Sequence, residues 1–200
     1  MTTTQQPGTN NANRDGSFAS QAHPTAGLNG ETTYYAQPYS MDATGFYFNS
    51  MEDYTAKMDA LTDRFGCKVE EVELQFIDGS TGDAQLFNAL KIDQSTLERW
   101  FDDVEDLSDN EKAALFFLVD NNGMDLDDAM DKRDEVMLRE GSELDAGTEI
   151  FDELYLDNIP AGAKTYIDYE SFARDLRMNG EIVEVEFDGT TYTCVNASSL

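Results

Sequence analysis

The sequence predicts an α+β protein in which α/β units at the two ends flank a helical, acidic middle. Three observations predict this fold class. Aromatic, β-prone runs open the ordered part of the chain, capped amphipathic helices fill its centre, and alternating residues around an Asp-Gly turn close it. We expect four segments: a disordered polar tail over 1–32, a small α/β domain over 33–82, a central helical domain over 83–123, and a C-terminal α/β domain over 124–200.

The tail is rich in Thr, Asn, Gln, Gly and Ala, and its only bulky apolar residues are Phe18 and Leu28. Such a segment buries too little apolar surface to offset the entropy of ordering. We therefore expect it to be flexible.

The first domain is predicted from two short strands in "TTYYAQPYSMDATGFYF", followed by a helix and a strand. The helix runs from a capping pair, Ser50 and Asp53, through apolar positions at spacings of three and four to Phe65. The strand "VEEVELQFIDG" alternates apolar and polar residues and ends at Asp-Gly.

The middle is predicted to be helical from Ser95, with a second capping box at Ser108 and Glu111 and a stop at Asn122-Gly123. Two further helices are expected in "MDLDDAMDKRDEVMLREG" and "SELDAGTEIFDELYLDNIP". A helix in "DYESFARDLRMNG" and a β-hairpin over 182–195 complete the chain.

The charge balance excludes several classes of partner. Asp and Glu number 41 against 13 Lys and Arg, giving a net charge of −28, yet 40% of residues are hydrophobic. A packed core and a very negative surface must coexist, so direct binding to nucleic acid or an anionic membrane is disfavoured. Two cysteines and no long apolar stretch predict a soluble cytoplasmic protein.

Catalytic and metal motifs are scarce. The single histidine, His23, lies in the tail, and no Walker A or G-x-G-x-x-G sequence occurs. The segment 120–131 resembles a calcium loop, but both possible registers place Met or Ala at a ligand position and lack the terminal Glu. We therefore expect no enzyme activity, no cofactor and no metal.

The acidic runs are the strongest signal. Residues 98–111 carry seven acids against Arg99; as a helix of about 21 Å they place one net charge every ~3.5 Å, close to the ~3.4 Å phosphate spacing of one DNA strand. We expect a partner-binding surface that resembles DNA, made by Glu98, Asp102, Asp103, Glu105, Asp106, Asp109, Glu111, Asp125, Asp127, Asp128, Asp131, Asp134 and Glu135.

The sequence allows other interpretations of these acidic segments. Each could be a solvated helix face, the whole surface could be an adaptation to high salt that requires no partner, or the acids could form a calcium-responsive module. Lys or Arg partners at i+4, which balance ordinary acidic faces, are few here.

The order of the segments resembles the ArdA-type antirestriction proteins of mobile genetic elements, most specifically in "YIDYESFARDL" followed by an Asn-Gly turn and a hairpin. The resemblance covers about residues 34–196. It implies an elongated chain of three small domains that forms a homodimer, with the subunit contact around residues 115–130. It also implies a DNA mimic that occupies the DNA-binding groove of type I restriction–modification enzymes, chiefly the methyltransferase core, without catalysis. A DNA mimic of another DNA-binding protein is the alternative.

Overall fold

The computed structural model describes residues 32–200 and gives a mixed α+β fold with seven helices and two small antiparallel sheets over that range. The expected tail and His23 lie outside the described residues, apart from Thr32. None of the helices between residues 32 and 200 is both long and apolar enough to cross a bilayer.

The first sheet has the strand order β2-β1-β3 and packs against helices. Its strands are β1 (Thr33–Pro38), β2 (Phe46–Phe48) and β3 (Val72–Asp78), with helix α1 (Met51–Ala60) between β2 and β3. The Ser50 side chain accepts a hydrogen bond from the Asp53 amide at 3.2 Å, which caps α1 as predicted.

Helix α1 is shorter than expected. It ends at Ala60, and Thr62 and Lys68 then pair in a β-bridge, so Phe65 lies in an exposed turn instead of on the helix. The turn is held by Asp63, whose carboxylate accepts from the amides of Phe65 and Cys67 at 2.8 Å each. Local bonding of an Asp side chain to the backbone competes with a helix.

The middle contains four helical segments and a short π-helix. These are α2 (Thr81–Ala89), α3 (Leu97–Arg99) with its π-helical continuation Trp100–Val104, α4 (Asp109–Asp120) and α5 (Leu126–Lys132), followed by a 3-10 turn at Arg133–Glu135. The capping box at Ser108 and Glu111 is confirmed. Helix α2 was not expected from the sequence, in which the helical prediction began at Ser95.

The C-terminal elements form a second sheet with the order β4-β6-β5 and a helical hairpin. Strand β4 (Leu138–Glu140) precedes α6 (Glu143–Tyr155) and α7 (Tyr169–Met178), and β5 (Val183–Phe187) and β6 (Thr190–Cys194) form the predicted hairpin. The prediction of one continuous helix over 124–141 was wrong, because that segment ends in β4, which pairs with β6.

A continuous cluster of buried side chains joins the two sheets through the helices between them. Tyr34 contacts the rings of Phe48, Phe76, Phe87 and Phe101, with centroids 5.3 to 5.5 Å apart. At the other end Phe116 of α4 packs on Phe187 of β5 at 5.3 Å. The same cluster extends to Cys194, so the division of the chain into three separate domains stays a prediction.

Candidate acidic interface

The predicted interface residues occupy two stretches that the fold brings together. Residues 98–111 cover α3, the π-helix and the start of α4, whereas residues 125–135 cover α5 and the turn after it. Ten of the thirteen predicted carboxylates are on exposed residues, namely Glu98, Asp102, Asp106, Asp109, Asp125, Asp127, Asp128, Asp131, Asp134 and Glu135. Asp103, Glu105 and Glu111 are partly buried.

Arg99 joins the two stretches. Its Nε donates to Asp103 one turn away, and its Nη1 donates to Asp127 in the first turn of α5. The hydrogen bond to Asp103 is the main cause that raises the pKa of Arg99 above its ordinary value, so this side chain stays cationic. One guanidinium therefore binds a carboxylate from each acidic stretch.

Arg133 makes a second connection, just beyond the C-terminal end of α5. Its Nη2 lies 3.7 Å from a carboxylate oxygen of Glu111 on α4, and its Nε lies 3.4 Å from Asp134. The Glu111 carboxylate also accepts from the backbone and side chain of Ser108, and these bonds lower its pKa. Glu111 thus caps α4 and contacts the turn after α5.

Glu105 faces the core instead of the solvent. Its Oε1 accepts a 2.8 Å hydrogen bond from the Tyr34 hydroxyl, which itself accepts a 2.7 Å bond from the indole N–H of the fully buried Trp100. Burial raises the pKa of Glu105, and the Tyr34 hydrogen bond opposes that shift. We therefore assign Glu105 to the internal structure of the protein and not to a surface that contacts a partner.

Lys112 is a buried cation close to this network. Its Nζ donates to the Asp83 carboxylate and to the Glu105 carbonyl oxygen, both at 2.6 Å, and the Lys112 side chain is only 9% exposed. A buried charge requires such partners. This lysine therefore offsets charge inside the protein and is not available to pair with the exposed carboxylates.

The stretch that resembles a calcium loop is used for helix capping. Asp125 accepts from the Asp128 amide at 3.0 Å and begins α5, after a turn in which Gly123 has φ +69°. Among residues 32–200, no three His, Cys, Asp or Glu side chains are grouped in a way that could hold a metal ion.

Exposed carboxylates outside the predicted set also form rows. Glu184 and Glu186 alternate with half-buried valines on β5, which is an edge strand. Around β3, Glu71 and Glu73 alternate with the buried Val72 and Leu74. The period of two in the sequence gives this signal. On α6, Glu149 and Glu153 bind Arg139 at 2.8 and 2.9 Å.

Fold and surface together define a strongly anionic α+β protein whose described cations are mostly in contact with its own carboxylates. The chain belongs to the antirestriction protein (ArdA) family, whose family model matches residues 33–189. It is therefore an antirestriction protein, and its family implies interaction with restriction–modification enzymes. No curated protein and no solved structure matched the chain.

Proposed function

We propose that this protein mimics DNA and occupies the DNA-binding groove of a type I restriction–modification enzyme, at the methyltransferase core. In this proposal it acts as a homodimer in the cytoplasm of a cell that has received a mobile element. Unmodified DNA is protected because the enzyme's groove is already filled. No bond is made or broken, and no cofactor is used.

The observation that carries the proposal is the joining of two acidic stretches on adjacent elements. Arg99 and Arg133 connect the stretches, while ten of the thirteen predicted carboxylates remain exposed. A groove that normally neutralises phosphates with Lys and Arg would meet exposed carboxylates instead, although residues 98–111 are not the single straight helix from which the charge spacing was calculated.

The physical mechanism is the release of counterions when two oppositely charged surfaces come into contact. The enzyme's cationic groove and the protein's anionic surface each hold counterions, and contact releases those ions to solution. Each carboxylate adds a modest contribution, as exposed ion pairs do. The sum over many contacts favours the complex, whereas any one exposed pair contributes little.

A restriction assay in cells tests the biological part of the proposal. Unmodified phage should form plaques far more efficiently on a type I restricting host that expresses the protein than on the same host without it. Protection absent from every type I host, together with capture of a different DNA-binding protein, would support the alternative target instead.

A displacement assay tests the surface itself. The protein should release a fluorescent 30-base-pair duplex from a purified type I methyltransferase. Neutralising four exposed acids (E98Q, D102N, D128N and D131N) should weaken displacement about tenfold or more, since each lost contact removes a favourable term. The matched control (E52Q, E70Q, E71Q and E73Q) makes the same charge change near the first sheet, where the residues are also exposed. Equal losses in both variants would contradict a localised interface.

A further inference from the structure

Among residues 32–200, Arg99 and Arg133 are the two cations that contact both acidic stretches, and their contacts lie at opposite ends of α5. Arg99 reaches Asp127 at the N-terminal end of the helix, and Arg133 follows its last residue, Lys132. Arg99 and Asp127 are 28 residues apart in the sequence. Each arginine therefore connects α5 to an element on the other acidic stretch.

Helix α5 is short and packs on the core through one side, where the partly buried Met130 adjoins its buried residues. It is seven residues long, and only Leu126 and Ala129 on it are buried. An isolated helix of this length is unstable in water. Its carboxylates also lie beside those of residues 98–111, and like charges at such range repel. Arg99 offsets that repulsion where it contacts both Asp103 and Asp127.

We propose that Arg99 and Arg133 are positioning residues that hold the two acidic stretches in one fixed arrangement. The partner's groove recognises this arrangement of carboxylates. A guanidinium suits this task because its planar fork directs hydrogen bonds to two carboxylates in defined directions. The proposal rests on the proposed function, and it adds that the spacing of the carboxylates matters as well as their number.

The sign of one substitution separates spacing from number. Arg99→Gln removes a positive charge and makes the protein more negative. If the partner responded only to total charge, R99Q would bind the same or tighter. If Arg99 fixes the spacing, R99Q binds weaker although its charge is more favourable. Arg99→Lys keeps the charge but lacks the fork, so it should recover only part of the loss.

The experiment measures displacement of the fluorescent duplex from a purified type I methyltransferase by full-length wild type, R99Q, R99K and R174Q. Arg174 supplies the matched control, since it is exposed on α7 and its Nε lies 3.9 Å from the neighbouring Asp175. We expect R99Q to bind three- to tenfold weaker than wild type and R174Q to bind within about twofold of it. R99Q binding as tightly as R174Q would overturn the proposal.

A second pair of variants covers the case in which R99Q fails to fold. Asp127→Asn removes the α5 partner of Arg99, whereas Asp128→Asn removes the adjacent exposed carboxylate, for which no cationic partner is seen among residues 32–200. Both lose one negative charge. D127N should bind at least threefold weaker than D128N; equal affinities would overturn the proposal.

Hydrogen exchange separates failure of this proposal from failure of the proposed function. Amides of residues 126–132 should exchange faster in R99Q than in wild type, while those of α7 stay unchanged. If wild type does not displace the duplex, the proposed function is wrong, and the proposal that the partner recognises the spacing of the carboxylates is wrong as well. A different result is that wild type displaces the duplex while R99Q, despite faster exchange in α5, binds as tightly as wild type. In that case only the proposal that the partner recognises the spacing of the carboxylates is wrong.

Discussion

Tyr34 shows how one hydroxyl group organises the centre of this protein at the scale of single residues. It accepts from Trp100 and donates to Glu105, so a donor and an acceptor from the π-helical region are both satisfied by β1. The rings around them are aromatic and are either buried (Phe48 and Phe87) or partly buried (Phe76 and Phe101). Such a network stabilises the fold only while every member has its partner.

Glu105→Gln should change how stability depends on pH. Burial raises the pKa of Glu105, so folding favours its protonated form. That contribution is complete below the pKa of the unfolded state and is lost as pH rises through the higher folded value. Gln has no such titration, so E105Q should gain stability relative to wild type between pH 4 and 7.

Urea unfolding at pH 4 and pH 7 measures this difference, with Glu98→Gln as the matched control on an exposed residue of the same segment. A stability difference between E105Q and wild type that stays constant with pH, or that falls as pH rises, would contradict the internal assignment of Glu105.

The sequence predicted that Glu105 belongs to the acidic surface with its neighbours. A run of Asp and Glu gives the same sequence pattern whether each side chain points to the solvent or to the core.

At the scale of elements, the sequence predicted the helix caps and turns that depend only on neighbouring residues. Ser108 with Glu111 and the Asp188-Gly189 turn, with φ values of 50° and 72°, are contained in a few neighbouring residues. Helix α2 depends on distant contacts: Gly82 lies where a Cβ would be 3.1 Å from the Phe187 ring, and Gln85 bonds to the backbone of Glu186 and Asp188. Helix α2 does have a local signal, because the Ser80 side chain accepts from the Asp83 amide at 3.0 Å and caps the helix, but its distant contacts cannot be predicted from the neighbouring sequence. Strand β4 likewise forms only because β6 pairs with it.

Gly147→Ala should destabilise the pair formed by α6 and α7. A Cβ at this buried position would lie 2.6 Å from the Cβ of Ala173 and 2.9 Å from its Cα, so the helices must separate. Alanine favours a helix by about 1 kcal/mol over glycine, but overpacking of a close contact costs about 1–3 kcal/mol. We expect a net loss, measured as a lower melting temperature.

Gly162→Ala is the matched control for that change. A Cβ at Gly162 would meet no atom within 4 Å, and the residue lies in the loop between the same two helices. This variant should be neutral or slightly more stable, because alanine restricts the unfolded chain. A melting temperature for G147A at or above that of G162A would show that the helices tolerate the extra carbon.

At the scale of the whole molecule, a large negative charge coexists with one continuous core. Self-repulsion at a net charge of −28 favours expansion, and it is strongest when salt is low. The buried aromatic cluster from Tyr34 to Phe187 opposes that expansion. The composition predicted both features, but not that one core would extend through the helical middle, since that depends on pairings such as Phe116 with Phe187.

Salt should therefore act on binding and on folding in different ways. If the acidic interface replaces phosphates, affinity for the methyltransferase should fall linearly on logarithmic axes as salt rises, by roughly 10³ to 10⁵ between 50 and 200 mM for about six to ten contacts. Over the same range, and in dilute buffer, circular dichroism of the free protein should stay that of a folded chain, because the aromatic core does not depend on added ions. Loss of the fold in dilute buffer would instead favour an acidic surface adapted to high salt. Affinity that is constant with salt, in a protein that remains folded, would exclude exchange of counterions as the origin of binding.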